Sequence, residues 1–319
     1  MLKLRKILGL ILVIGLIGAL KPIVFNDNSS VVRFLAHQDE ITTHQDEAVA
    51  DYMNQQLFAE ESPTPSPAVR SPEVDEEAQQ RKLETWRKVD HIVGIALLVG
   101  VLLIFTPIGN SRWMLLPLLA TTAWLILQAL ADQQLGGKLF SELSLFAHAT
   151  RWGLPLILAW LIWSPNRQED EIPSQQNATP IWTRIARICC ATTFAAHGWE
   201  AFQANPPFVD LIAGTANLIN WQISPAAIET TLKVIGCVDF VVALGLLFKL
   251  HPSILLFMSV WGFATALSRP ISMGHETWFL FAERAANFGL PLVLYLFLKG
   301  RFNSSQADKP KPIHEPIRS

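Results

Sequence analysis

The sequence predicts an all-α, polytopic membrane protein with about eight transmembrane helices arranged as two parallel four-helix repeats. Three observations lead there. Half of the residues are apolar and only 16% are charged, where a soluble domain carries about 25% charged residues. The mean hydropathy is positive, and eleven Trp stand against two Tyr, Trp being enriched at membrane interfaces. Apolar runs also follow one another along the whole chain, and groups of their residues recur in the same order, the mark of an internal repeat.

Lys3, Arg5 and Lys6 precede an apolar run at 7–20, the pattern of a signal peptide or a first membrane helix. No small-x-small cleavage site follows, which favours an uncleaved anchor over 1–20. Residues 21–88 are of a different kind. Acidic residues dominate them, among them Asp39, Glu40, Asp46, Glu47 and Asp51, and 62–72 (SPTPSPAVRSP) reads as an extended Pro/Ser linker. The spacing of Val32, Leu35, Val49, Met53 and Phe58 fits a loose amphipathic helix over 31–58. HQDE occurs at 37–40 and again at 44–47, close to two helical turns apart, so both copies would share a solvated acidic face.

Further apolar runs lie at 89–105, 113–130, 148–163, 181–196, 232–250, 254–267 and 285–298. A span needs about 20 apolar residues, and several runs reach that only with their flanks. The chain therefore divides into 1–20 (anchor or signal, and first helix of unit one), 21–88 (extracytoplasmic acidic segment), 89–164 (the other three helices of unit one), 165–180 (cytoplasmic linker), 181–300 (second four-helix unit) and 301–319 (cytoplasmic tail). With the N-terminal Lys and Arg inside, Arg112, Arg167, Arg184, Arg187 and Lys249 fall on the same side, as do Lys299, Arg301, Lys309 and Lys311 of the tail. That orients a multi-pass chain with both termini cytoplasmic if the first helix is kept. Arg81, Lys82, Arg87, Lys88 and Lys138 would then lie outside, as would Arg269 and Arg284, against the rule.

The repeat rests on three matches in one order. Val89-Asp90 opens a run that reads like the one opened by Val238-Asp239. Trp124 followed by Ala129-Leu130 matches Trp261 followed by Ala266-Leu267. Gly153-Leu154-Pro155-Leu156 matches Gly289-Leu290-Pro291-Leu292. Each unit starts with a basic flank and a helix running outward, so the two share one orientation.

Ionisable groups beside lipid-facing runs are costly and point to pairing or to function. In the second unit His197 and Glu200 end the first helix, Asp239 lies about two turns into the second, Arg269 ends the third, and Glu283, Arg284 and Asn287 open the fourth. His275 and Glu276 sit on the intervening turn. A carboxylate within a membrane helix costs roughly 2.5–3.5 kcal/mol, so Asp239 is expected to be protonated or paired, with Arg269 or Arg284 as partner. Adjacent Glu283 and Arg284 would point about 100° apart on a helix. The first unit offers Asp90, with His148 opposite Arg284 and Arg151 opposite Asn287, and has no counterpart of His197 and Glu200. An active pocket is thus expected in the second unit. The cluster reads either as a structural ion-pair lock or as a pocket for a ligand headgroup. Acids and His beside Trp261 and Trp278 suit a quinone headgroup or another small redox ligand.

Residues 184–298 resemble the DoxX/DoxD-like membrane family. The likeness lies in an Arg-initiated first helix ending in His197-Gly198 with Phe202 following (FAAHGWEAF), a second helix with Gly236 and Asp239, and short third and fourth helices. The resemblance implies a four-helix bundle in a bacterial inner membrane and an association with electron transfer, as in thiosulfate:quinone oxidoreductase subunits. It assigns no thiosulfate site to any residue here. The acidic segment and the divergent first unit depart from the family pattern.

A net charge of −2 gives no field for nucleic acid. No P-loop, GxSxG, HExxH or dinucleotide fingerprint is present. Cys189, Cys190 and Cys237 lie within apolar runs without metal-ligand spacing. The expected partners are the lipid bilayer and a membrane-complex or extracytoplasmic protein docked through 21–88. The expected function is redox-associated, with a small-solute transporter and a non-catalytic scaffolding subunit as the alternatives.

Overall fold

A computed structural model of the protein describes residues 2–26, 29–35, 76–135, 142–164 and 180–307. Helix α1 covers Leu2–Asn26 and the short α2 covers 30–35. Helix α3 (Glu76–Leu102) leads through three 3-10 turns to α4 (Leu115–Leu135). Next come α5 (Ser144–Ala147), α6 (Ala149–Trp163), α7 (Ile181–Phe202) and α8 (Pro206–Leu218). The chain continues with α9 (Pro225–Phe248), α10 (Pro252–Met273), a 3-10 turn at His275–Thr277, α11 (Trp278–Glu283) and α12 (Ala285–Ala307). No strand occurs among the described residues.

Every apolar run lies on a helix. Five spans are long and apolar enough to cross a bilayer: Leu2–Val24, Gln80–Phe105, Arg112–Leu135, Pro225–Phe248 and Pro252–Met273. His275–Glu283 and Ala285–Gly300, bent by 47°, make a sixth if the two are one span. The chain is an all-helical, multi-pass membrane protein.

Helices α6 and α7 are different. The 15 residues of α6 extend about 22 Å, short of a hydrocarbon core of about 30 Å. They are enclosed, with Leu154, Ile157 and Leu158 fully buried. Helix α7 carries Arg184, Arg187, His197 and Glu200 and also buries much of its surface. A helix sheathed by others needs neither full length nor an apolar circumference, because its neighbours and not lipid surround it.

Three segments depart from the expected layout. Helix α8 and the start of α9 lie within 199–231, which reads as a loop on hydropathy alone. Pro206 sits in the first turn of α8, where a missing N–H costs nothing. Phe208, Val209, Ile212 and Ala213 of α8 pack onto Ile228 and Leu232 of α9. Helix α3 begins within the acidic 21–88 segment, and α12 runs on past residue 300. The two HQDE copies, the Pro/Ser linker, most of the 31–58 pattern and nearly all of the 165–180 linker lie outside the described residues.

The two halves of the chain pack reciprocally. Helix α3 packs on α1 as α9 packs on α7, and α4 packs on α6 as α10 packs on α12. Helix α1 contacts α6, α11 and α12, while α7 contacts α12, α5 and α6. The helix before each Gly-Leu-Pro triplet is broken at an equivalent residue. His148 (φ −97, ψ 13) separates α5 from α6, and Arg284 (φ −90, ψ 10) separates α11 from α12.

Arg5 donates from Nη2 to the Leu161 carbonyl at 2.6 Å and from Nη1 to Asn110 Oδ1 at 3.5 Å. One end of the bundle thus gathers the start of α1, the end of α6 and the turns before α4. Helix α7 packs most extensively on α9. Lipid supplies no hydrophobic drive between helices, so close backbone approach matters there. A Cβ on Gly236 would come within 2.5 Å of the Gly198 carbonyl oxygen, so glycine at this crossing sets how near α9 lies to α7. Asp239 follows one turn later.

Candidate functional site

Helices α7, α8, α9 and α10, with the start of α12, enclose a cavity of about 290 Å³. Its wall is mostly apolar, including Phe194 of α7, Phe208, Leu211 and Ile212 of α8, and Leu232 and Ile235 of α9. The polar lining is small and mixed: Thr193 and His197 from α7, Asp239 from α9, Thr265 and Arg269 from α10, with Arg284 and Asn287. Ile219 and Trp221, which follow α8, also line it and are 68% and 60% exposed. They form an apolar rim of the kind found at membrane interfaces.

Asp239 is only 5% exposed. The α7–α9 crossing brings it against Gly198, and the Trp261 side chain of α10 lies beside its carboxyl group. Its Oδ1 has no partner among the described residues. The expected pairing with an arginine is not what the structure shows. Arg269 Nη1 donates to the Thr265 carbonyl and Arg284 Nη1 to the Leu280 carbonyl, both at 3.0 Å. Each guanidinium reaches back four residues onto a backbone carbonyl: Thr265 lies within α10, and Leu280 is among the last four carbonyls of α11, which a helix end leaves without an intrahelical donor.

Glu283 also departs from expectation. Arg151 of α6 donates to its Oε1 at 2.5 Å, and Arg284 Nη1 lies 3.7 Å from its Oε2. The 100° separation expected of neighbours on a helix does not hold, because the chain leaves helical geometry at Arg284. Glu283 thereby joins the first-half helix α6 to the end of α11. Asp132 of α4 stands near Ser30 and beside the same pair.

On α7, His197 Nδ1 lies 3.0 Å from Glu200 Oε2, one helical turn on. His197 faces the cavity, while Glu200 is 6% exposed. A neutral chain of hydrogen bonds adjoins them. Thr150 Oγ1 donates to Asn287 Oδ1 at 2.6 Å, and the Thr150 amide donates to Thr193 Oγ1 at 3.1 Å. Both Asn287 and Thr193 line the cavity. The threonines, Asp132 and α8 were not singled out from the sequence. Hydroxyls in apolar runs give no hydropathy signal, whereas the Phe208/Ile212/Ala216 spacing could have marked α8.

The structure thus brings His197, Asp239, Arg269, Arg284 and Asn287 to one cavity, with Glu200 and Glu283 held behind them by His197 and Arg151. It does not bring in His275 and Glu276. Their side chains are 101% and 67% exposed on the 3-10 turn, where they contact each other at 3.5 Å. Of the first-half counterparts, Asp90 accepts from Trp124 Nε1 at 3.0 Å, Arg151 holds Glu283, and His148 occupies the α5–α6 break among Arg151, Arg284, His197 and Arg269. Among the described residues no three His, Cys, Asp or Glu side chains converge as a metal site would require. Cys189 and Cys190 are buried and unpaired, and Cys237 is exposed.

Fold and site together define a helical, multi-pass membrane protein with a small amphipathic cavity in its second half. Comparison of the chain with family models, with curated proteins and with solved structures gives no match.

Proposed function

We propose that this is a redox-associated protein of a bacterial inner membrane that holds a lipid-soluble ligand with an oxygen-bearing head, of the quinone class, in the α7–α10 cavity. The observation that carries this reading is the cavity's division of labour. An apolar wall faces guanidinium donors (Arg269, Arg284) and acceptor-bearing side chains (Asp239, His197) in one space. A quinone ring has an apolar body, and its oxygens accept hydrogen bonds when oxidised and donate them when reduced. Trp261, a cavity-wall indole beside Asp239, offers a stacking surface. The rim at Ile219 and Trp221 opens the site towards the apolar surroundings from which such a ligand comes.

The architecture proposed with it is two parallel four-helix repeats, eight spans in all, with both termini cytoplasmic. Its support is the reciprocal packing of α1 with α11 and α12 and of α7 with α5 and α6, the matched breaks at His148 and Arg284, and an Asp beside a Trp in each half. The acidic 21–88 segment is the proposed docking arm for an extracytoplasmic or membrane partner.

The test is quinone binding by purified protein in lipid nanodiscs, read by quenching of intrinsic Trp fluorescence with a naphthoquinone. Wild-type protein is expected to show saturable quenching, weakened by Asp239→Asn. Quenching that does not saturate, or that Asp239→Asn leaves unchanged, removes Asp239 and the cavity from quinone binding.

A further inference from the structure

The two arginines of the cavity are unusual in what they lack. A guanidinium carries five N–H donors. Arg269 and Arg284 each use one, on a carbonyl of their own helix. Arg284 has Glu283 at 3.7 Å, but that carboxylate is taken at 2.5 Å by Arg151. Arg269 has no carboxylate within ion-pair distance among the described residues. The remaining nitrogens of both are absent from the buried atoms that lack a partner. They are therefore reachable, and both residues line the cavity. The other nearby acid of α7, Glu200, is held by His197. One end of an apolar cavity thus presents two guanidiniums with unused donors, while the acids near them, Glu200 and Glu283, are held by other partners.

A partly buried cation with open donors facing an apolar cavity is costly unless something supplies acceptor oxygens and negative charge. Carboxylates do both, and the planar guanidinium fork matches them with paired hydrogen bonds. We infer that Arg269 and Arg284 form an anion-recognising end of the cavity, and that the site prefers an amphiphile with an apolar body and a carboxylate head. The body lies along Phe194, Phe208, Ile212, Leu232 and Ile235, and the head meets the arginines, away from Asp239. Acyl and aromatic acids share this chemistry. The inference rests on the cavity and goes beyond the redox reading, because it requires no electron transfer by the ligand.

The experiment titrates nanodisc-embedded wild-type protein with four probes: decanoate, 1-decanol, 1-naphthoate and 1-naphthalenemethanol. The heat of binding in isothermal titration calorimetry is the readout for all four probes, and empty nanodiscs give the partition background. Each acid is expected to bind about tenfold tighter than its neutral alcohol, a difference of about 1.4 kcal/mol. Decanoate ahead of naphthoate marks an acyl ligand, and the reverse order an aromatic one. Arg269→Gln and Arg284→Gln are expected to abolish the acid preference, and Arg269→Lys and Arg284→Lys to keep part of it. Alcohols binding as tightly as acids, no acid binding at all, or a preference that survives both Gln variants would each overturn the inference. The wild-type comparison stands even if a variant fails to fold. A parallel naphthoquinone titration separates the two proposals: quinone binding without acid binding sinks this one alone, and acid binding without quinone binding sinks the redox reading alone.

Discussion

Trp124 donates its indole N–H to Asp90 Oδ1 at 3.0 Å, joining α4 to α3. In the second half Trp261 of α10 lies beside Asp239 of α9. The surroundings differ. Asp90 is 8% exposed and its Oδ2 has no partner among the described residues, whereas Asp239 and Trp261 both line the cavity. The same two residue types close a helix contact in one half and line a cavity in the other.

Trp124→Phe keeps the ring's bulk and removes the donor. Interhelical hydrogen bonds in membranes contribute about 0.6 kcal/mol on average and up to about 1.7, and the change leaves a buried carboxylate without its donor. We expect a loss of about 1–2 kcal/mol, read as a lower melting temperature in detergent, with quinone and acid binding unchanged. Loss of ligand binding without loss of stability would show that the first-half pair reaches the cavity.

The Arg151–Glu283 pair links the two halves. The pair is partly buried, its side chains 10% and 21% exposed. Removing one partner of a fully buried pair costs about 3–5 kcal/mol, so Arg151→Gln and Glu283→Gln are each expected to destabilise by up to about 3 kcal/mol. The exchanged double variant, Arg151→Glu with Glu283→Arg, is expected to recover part of that loss. A melting temperature unchanged in both single variants would mean that the pair does not join α6 to α11.

Gly236→Val places side-chain atoms where the α7 backbone lies, against the Gly198 carbonyl and Phe202. Overpacking of this kind typically costs about 1–3 kcal/mol. It would also move Asp239, one turn on, away from the cavity. We expect lower stability together with weaker ligand binding, in contrast to Trp124→Phe. Normal binding by Gly236→Val would separate the helix crossing from the site.

Helix positions were readable from the sequence because lipid imposes a simple demand on it: the long apolar runs fall on helices. The Asp239, Arg269 and Arg284 neighbourhood was readable for the converse reason, since charge among apolar runs is costly and so stands out. Partner choice was not readable. Arg269 and Arg284 turn back to carbonyls of their own helices, and Glu283 goes to Arg151, more than a hundred residues away in the chain. Nothing local in the sequence encodes either outcome. His275 and Glu276 looked alike to the others by residue type, and only the turn that carries them outward separates them from the site. The amphipathic α8 escaped notice because 199–231 has too little unbroken apolar length to suggest a span, although its spacing supports a surface helix.

The central claim is that the second-half cavity is a ligand site, and filling it is the most direct test. Ile212 of α8 lines the cavity and is only partly buried, so Ile212→Phe adds bulk inside with little demand on the rest of the fold. The measurement is saturable binding of naphthoquinone and of decanoate to Ile212→Phe in nanodiscs, alongside its melting temperature. The account predicts wild-type stability and binding of both probes weakened by about tenfold or more. A stable Ile212→Phe protein that binds both probes as tightly as wild type would contradict it.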